Sequence, residues 1–294
     1  MSGNSLGFVE GRGFAGVLKA TDQMPKTSEV EFFSYVNISG SFNTIIYEGE
    51  VGAVRAAVDA AAQFVNEVGT LHTTNVIPSP NEKIYDFIKN NKEKTIDNGE
   101  LGAALGMVET KGLVPMIEAA DNGIKSAKVE LANWMTIGGG YTTVFFRGDV
   151  AAVTAAVESA VQTASKIGEI FCSHIIPSPH LLTNAVMPIG KLKNQKLDLH
   201  PPLKNKGSGE ALGIIETQGF IQLVEAVDAG LKSASVISTG WYKVGSAMVS
   251  TIFRGDVAAV KTAVASAKMA AEKLGKVLSA YVIPRPHSAI EKIV

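Results

Sequence analysis

Three features of the amino-acid sequence predict an α+β fold built three times over. They are an internal repeat, an alternation of strand-like and helix-like periodicity within each copy, and turn or capping residues where one gives way to the other. Residues 104–180 align with 211–287 at a constant offset of 107 without a gap, and 35 of the 77 positions are identical. Residues 5–81 align with 104–180 at an offset of 99, again ungapped, with 27 of 77 identical. SLGFVEGRG (5–13), ALGMVETKG (104–112) and ALGIIETQG (211–219) open the copies. EGEVGAV (48–54) in the first copy stands where FRGDVAAV (146–153 and 253–260) recurs unchanged in the other two, and IPSPN, IPSPH and IPRPH close them. A unit of this length can be a small domain in its own right and exceeds the period of most solenoids.

The second copy shows the element order. ALGMVE reads as a buried strand, and Pro115 to Ala127 carries Met116, Ile117, Ala120 and Ile124 at helical spacing. Val129 to Met135 reads as a second strand, Gly138-Gly139-Gly140 as a tight turn, and Tyr141 to Phe146 as a third strand. Asp149 is placed to cap an Ala-rich helix over 150–167, with Gly168 at its C-terminal end. Glu169 to Ile176 completes the unit, stopped by Pro177. The order β-α-β-β-α-β is a split-βαβ or ferredoxin-like layout. With short helices expected in NEKIYDFIKNN and SAIEKIV, the domains are 5–91, 104–190 and 211–294, joined by connectors of which the second is polar and rich in Lys, Gly and Pro.

Composition narrows the function classes. The 294 residues are 46% hydrophobic and 19% charged, enough for a sizeable core and too apolar for a disordered chain. No apolar run is long enough to span a membrane, and the start of the chain has no basic or apolar signal pattern, so a cytoplasmic protein without a membrane role is expected. Lys plus Arg (27) balance Asp plus Glu (28), which disfavours a nucleic-acid partner. A lone cysteine, Cys172, excludes an internal disulfide and a Cys-only metal site within one chain.

The G-x-x-E opening, the D-x-x-x-K-S-A-x-V helix end, the G-D-V-A-A-V turn and the closing I-P-R-P-H together resemble the bacterial microcompartment (BMC) shell-protein domain, over all three repeats. The resemblance implies flat tiles in which six domains surround a central pore. Since single-domain members form hexamers and two-domain members trimers, two chains of three domains would form a pseudohexamer, and closed symmetry is common among soluble assemblies. The partners implied are a second copy, other shell proteins and small polar or anionic metabolites crossing the pore. No cofactor is expected.

By the same resemblance, the loop between the second and third strands lines the pore. It comprises Asn37, Ile38, Ser39, Gly40 and Ser41; then Thr136, Ile137, Gly138, Gly139 and Gly140; then Lys243, Val244, Gly245, Ser246 and Ala247. Lys243, the one charged member, would favour anions. The family's tile-edge positions fall on Lys26, Lys125 and Lys232, and on Arg285, which Ser79 and Ser178 replace in the other copies. The bland reading of these four side chains is an ordinary solvated charge, and of the loop a plain tight hairpin.

Other signals are set aside. Gly11 to Gly16 spells G-x-G-x-x-G, but the cognate stretches keep only the middle glycine, and the unit continues into a hairpin and not a parallel sheet. Arg147-Gly148-Asp149 and Arg254-Gly255-Asp256 read as a turn followed by a helix cap, and Asn37-Ile38-Ser39 spells a glycosylation sequon with no expected use in the cytoplasm. The five histidines have no metal spacing, the pore loops lack the cysteine that holds an iron–sulfur cluster in some family members, and no nucleophile–base set recurs. The repeated acids Glu10, Glu109 and Glu216 close the first strand without a matching acid partner. A structural tile is therefore favoured over the alternative, a ligand-binding regulatory protein of ferredoxin-like repeats, and over an enzyme.

Overall fold

In each repeat, strands of alternating or continuous apolar pattern give way to helices whose small and β-branched residues recur every three or four positions. The computed structural model describes residues 5–89, 95–96, 103–180, 183, 191–192, 210–287 and 289–290. The first repeat runs β1 (Ser5–Arg12), α1 (Phe14–Thr27), β2 (Val30–Asn37), β3 (Phe42–Gly49), α2 (Val51–Val68) and β4 (Thr70–Ile77). After it come α3 (Glu82–Lys89), where a helix is expected, and the two-residue β5 (Thr95–Ile96). The second comprises β6 (Ala104–Lys111), α4 (Leu113–Ser126), β7 (Glu130–Gly138), β8 (Tyr141–Gly148), α5 (Val150–Ala164) and β9 (Ile170–Ile176). Beyond β10 (Lys191–Leu192), the third comprises β11 (Ala211–Gln218), α6 (Phe220–Ser233), β12 (Ile237–Gly245), β13 (Met248–Gly255), α7 (Val257–Glu272) and β14 (Val277–Ile283). Most of the second connector and of the closing SAIEKIV lies outside the described residues.

Each repeat forms a four-stranded sheet in which the first strand lies between the third and the fourth: β2-β3-β1-β4, β7-β8-β6-β9 and β12-β13-β11-β14. The first strand is antiparallel to both neighbours in the first and third sheets. This is the predicted ferredoxin-like α+β layout. Two compact units are present: residues 1–92 with 106–175, holding repeats 1 and 2, and residues 93–105 with 176–294, holding repeat 3. In the first repeat, Val9, Ile45 and Tyr47 of the sheet pack with Val17, Ala20 and Met24 of α1 and with Val54, Val58, Ala61 and Val65 of α2.

The glycine of the opening motif is a packing residue. A Cβ on Gly106 would come within 2.6 Å of Val153 and 2.7 Å of Val157, and Gly7 and Gly213 face the equivalent valine pairs. The glycine lets the second helix lie directly on the first strand. Gly11 and Gly16 of the G-x-G-x-x-G stretch likewise meet Val65, which accounts for them without a ligand.

Asp149 caps α5 as predicted, its carboxylate accepting the Ala152 N–H at 2.8 Å. The helix ends earlier than expected, at Ala164 and not near Gly168. The Lys166 N–H donates to Thr163 O and the Ile167 N–H to Ala164 O, the i→i+3 bonds of a tightened last turn. Gly168 instead serves a close approach, since a Cβ there would meet the Pro115 ring at 2.9 Å. Helix α4 in turn starts at Leu113, which puts Pro115 in the first turn, where its missing N–H costs nothing.

One position distinguishes the first repeat. Pro25 lies inside α1, where it cannot donate to the carbonyl four residues back, that of Thr21. The Tyr47 hydroxyl donates to that carbonyl at 2.8 Å. In the other copies Ile124 and Leu231 stand at the proline position, and Phe146 and Phe253, without a hydroxyl, at the tyrosine position. The phenol is an internal replacement for the lost backbone donor. Tyr47→Phe is expected to lower stability by about 1–3 kcal/mol, the cost of an unsatisfied buried carbonyl. Adding Pro25→Ala should recover most of the loss, because the helix regains its own donor. Equilibrium denaturation of the parent, both single variants and the double variant measures this coupling, and strictly additive effects would count against it.

Candidate functional site

The loop residues singled out in the sequence form sharp reversals with backbone in the left-handed region. Ser39, Gly40 and Ser41 have φ of 72°, 61° and 68°; Gly138, Gly139 and Gly140 have 97°, 66° and 84°; Gly245, Ser246 and Ala247 have 121°, 51° and 67°. Such angles suit glycine and strain other residues, so the serines and alanine need anchoring. The anchor is the same in all three copies. The glycine that begins the first helix donates its N–H to the last loop residue: Gly13 to Ser41 O at 3.0 Å, Gly112 to Gly140 O at 2.8 Å and Gly219 to Ala247 O at 2.8 Å.

In the unit of repeats 1 and 2 the two loops meet backbone to backbone. A Cβ on Gly40 would lie 2.7 Å from the Gly139 carbonyl carbon, and one on Gly140 would lie 2.4 Å from the Phe42 ring. The fifteen predicted loop residues divide by exposure. Asn37, Gly40, Ser41, Lys243, Val244 and Ser246 are exposed, and Ser39, Thr136, Gly139 and Gly245 are half-buried. Ile38, Ile137, Gly138, Gly140 and Ala247 are buried and support the loops from behind.

A second arrangement joins the repeats. Helix α4 begins on Gly112 with no side-chain cap of its own. Its first N–H groups are met by the preceding repeat: Leu113 N–H donates to Glu10 Oε2 at 2.8 Å, and Val114 N–H bonds the same carboxyl. Thr44 Oγ1 donates to that oxygen at 2.7 Å. The bulge between β1 and β4 sets the geometry. Glu10 faces Thr73 and Gly11 faces Leu71, which leaves His72 as the extra residue, its ring beside the carboxyl.

Further bonds line this seam. Thr73 Oγ1 donates to Ile167 O at 2.8 Å, Asn75 Nδ2 to Glu118 Oε2 at 2.6 Å, Asn81 N–H to Asp121 Oδ1 at 2.7 Å and Trp134 Nε1 to Phe87 O at 2.9 Å. Of the lysines taken as tile-edge residues, Lys125 pairs with Asp121 and donates to Ser79 O, while Lys26 and Lys232 pair with Asp22 and Asp228. Arg285 is exposed. Within the second unit the His180 N–H donates to Asp228 Oδ1 at 2.6 Å. His180 and Asp228 are the counterparts of Asn81 and Asp121, so the same bond occurs twice.

The three strand-ending acids stand out in the sequence, but nothing in it shows their partner. The signal was present: an acid at one position in every copy, and three first helices that begin on glycine without a local capping side chain. The acid of repeat 1 serves the helix of repeat 2, and this is visible only once the two are folded together.

Burial pushes the Glu10 carboxyl up from 4.5 to about 7, against the hydrogen bonds from Thr44, Leu113 and Val114, which act the other way. Glu10 Oε1 has no hydrogen-bond partner and lies 3.8 Å from His72 Nε2. Burial likewise lowers the His72 pKa, so burial works against the charged form of both groups. Folded Glu10 thus holds its proton more tightly than the unfolded chain does. Its contribution is full below about pH 4.5 and is lost as pH rises through about 7. Glu10→Gln should flatten that part of the pH dependence and be the more stable chain at pH 8, by at most on the order of 3 kcal/mol. Denaturation midpoints at pH 5 and pH 8 check this; an unchanged slope would refute the role of Glu10.

Among the described residues no helix is long and apolar enough to cross a membrane, and no three His, Cys, Asp or Glu side chains converge as a metal site. Burial raises the Cys172 thiol to about 12. Comparison with known proteins gives one consistent result. The model of the BMC domain matches residues 5–80, 104–179 and 211–286. The carboxysome assembly protein CcmO of Synechococcus elongatus is 37% identical over 183 residues, 62% of this chain and 65% of that protein, so the match leaves about a third of that relative uncovered. The microcompartment shell protein PduA of Citrobacter freundii is 50% identical over 84 residues, 29% of this chain and 90% of its own length. A solved microcompartments protein from Desulfitobacterium hafniense superposes with a TM-score of 0.50 at 28% identity, covering 60% of this chain and 96% of that one. With three matched domains accounting for most of its length, this chain belongs to the bacterial microcompartment (BMC) domain family.

Proposed function

We propose that the chain is a structural shell tile of a bacterial microcompartment. Two copies complete a six-domain pseudohexamer whose strand-to-strand loops surround a pore for small polar or anionic metabolites. The domains 5–91, 104–190 and 211–294 are its lobes. The observation that carries the reading is the backbone contact of Gly40 with Gly139, which brings the loops of repeats 1 and 2 together while the Glu10 seam holds those two domains side by side. The names of the relatives, a shell protein and a carboxysome assembly protein, support the same assignment. The work of such a protein is barrier and assembly, and no chemical step is assigned to it.

The exposed loop residues offer hydroxyls, peptide groups, the Asn37 carboxamide and the Lys243 ammonium beside one aliphatic side chain, Val244, a mostly polar set that suits a polar or anionic solute. Lys26, Lys125, Lys232 and Arg285 are proposed to lie along the tile edges, where an arginine can fork onto carbonyl groups of a neighbouring tile.

Averaged electron micrographs of the purified protein are expected to show six-lobed discs with a central depression, extending into sheets as concentration rises. Compact particles without six-fold appearance would remove the reading. Arg285→Ala should reduce sheet growth several-fold and leave discs intact; loss of the disc would refute the edge assignment. Lys243→Glu is expected to turn an anion preference into a cation preference, read as the sign of the reversal potential of tiles in a planar bilayer.

A further inference from the structure

Two cationic side chains at the junction of repeats 1 and 2 are used by neither the seam nor the loops. Arg12, at the end of β1, holds its guanidinium 4.9 Å over the Phe42 ring, and Phe42 meets the His72 ring edge to face at 4.6 Å. The Phe42 ring also lies against Gly140, where a Cβ would come within 2.4 Å of it. Directly after Gly140, the Tyr141 ring carries the Lys111 ammonium at 5.4 Å from its centre. His72 Nε2 lies 3.4 Å from the Lys111 carbonyl oxygen, which closes the circuit. Two cations from two repeats therefore stand on aromatic rings beside one imidazole.

These groups are not spent on partners within the fold. Among the described residues, the exposed Arg12 guanidinium and the half-buried Lys111 ammonium make no hydrogen bond or ion pair, and His72 Nδ1 makes no hydrogen bond. Beside the imidazole, Glu10 Oε1 is buried and unpartnered, 3.8 Å from Nε2. A guanidinium stacked by its face keeps its N–H edge free, and that edge fits the oxygens of an oxyanion. The rings strip water from one side of each cation, which strengthens its pull on an anion. The set is also particular to this junction. Gln218, Met248 and Leu278 hold the same positions in repeat 3, and Phe171 stands for His72 in repeat 2. The fold does not require a cation there, since Gln218 pairs with Met248 across the sheet just as Arg12 pairs with Phe42.

We infer that Arg12, His72 and Lys111 form a binding site for a small oxyanion, a phosphate or sulfate group held between the two cations with the imidazole as a third donor. The three residues lie outside the loop positions and belong to one chain, so the site needs neither a second copy nor the pore reading. Its electrostatics depend on pH. Burial lowers the His72 pKa and the Arg12 and Lys111 charges lower it further, against the Lys111 carbonyl and the exposed Glu169. A bound anion offsets the two cations, so binding draws a proton onto His72 and is tighter at lower pH. Glu10 works in the same direction, since burial keeps it protonated up to about pH 7 and its carboxylate opposes the anion above that.

The probe is sulfate, whose charge is constant across this pH range, added to the full chain and compared with sodium chloride at equal ionic strength. The His72 ring resonance, identified by its loss in His72→Phe, should titrate about one pH unit higher in sulfate than in chloride. Calorimetry should show one saturable site per chain, bound about tenfold more tightly at pH 6 than at pH 8. Arg12→Gln with Lys111→Gln, which installs the residue of repeat 3 at both positions, should abolish the shift and weaken binding by about tenfold or more. The unfolding midpoint of that double variant in chloride should stay unchanged. Glu169→Gln should tighten binding several-fold. Equal His72 titration in the two salts, an affinity indifferent to the double variant, or no saturable site would each overturn the proposal. Methyl phosphate binding as tightly as inorganic phosphate would support the site as a seat for the phosphoryl end of a larger solute. Binding of the free ions alone would support it as a site for inorganic oxyanions.

Discussion

A helix that begins on glycine has no side chain of its own for its first amide groups, and in this chain that deficit is what ties repeat 2 to repeat 1. Glu10 supplies the acceptor for Leu113 and Val114 from the neighbouring domain. A buried carboxyl with two backbone donors and a hydroxyl on it is hard to displace, because separating the domains would leave those donors unsatisfied. The apolar contacts around Leu113 and Ile117 supply area, while the carboxyl supplies register.

The same glycine controls the loop. Its positive φ turns the chain from β6 into α4, and its N–H holds the last residue of the neighbouring reversal in place. Seam and loop therefore share Gly112 in repeat 2, and whatever positions that helix start also positions the candidate pore edge. Strained residues such as Ser39 and Ala247 are tolerated there because the surrounding bonds determine their backbone.

The copies have diverged in coupled ways. Pro25 with Tyr47 in repeat 1 stands against Ile124 with Phe146 and Leu231 with Phe253, and Met24 against Gly123 and Gly230, whose missing side chains leave room for the phenylalanine rings. Each substitution is compensated inside its own domain, so the repeats keep one backbone with different interiors. Their surfaces differ as well: an aromatic face around Phe14, a three-glycine reversal in repeat 2 and a lysine loop in repeat 3.

Repetition made most of the fold legible before any coordinates, because local patterns such as the valine pairs facing Gly106 and the Asp149 cap recur with their spacing intact. The reversal at Gly138–Gly140 was legible too, since three glycines tolerant of positive φ stand there, whereas Ser39, Ser41, Ser246 and Ala247 do not announce theirs. Helix ends were less so: α5 stops at Ala164 through backbone bonds that no residue type announces. Glu10 looked like an acid without a purpose because its partners are amide groups 103 residues away, which every sequence possesses and none displays. That Ile38 and Ile137 face inward while Val244 is exposed was likewise settled by packing, since similar aliphatic residues occupy all three positions. Chain order specifies patterns over a few turns; burial and the pairing of backbone groups arise only when distant segments exclude water together.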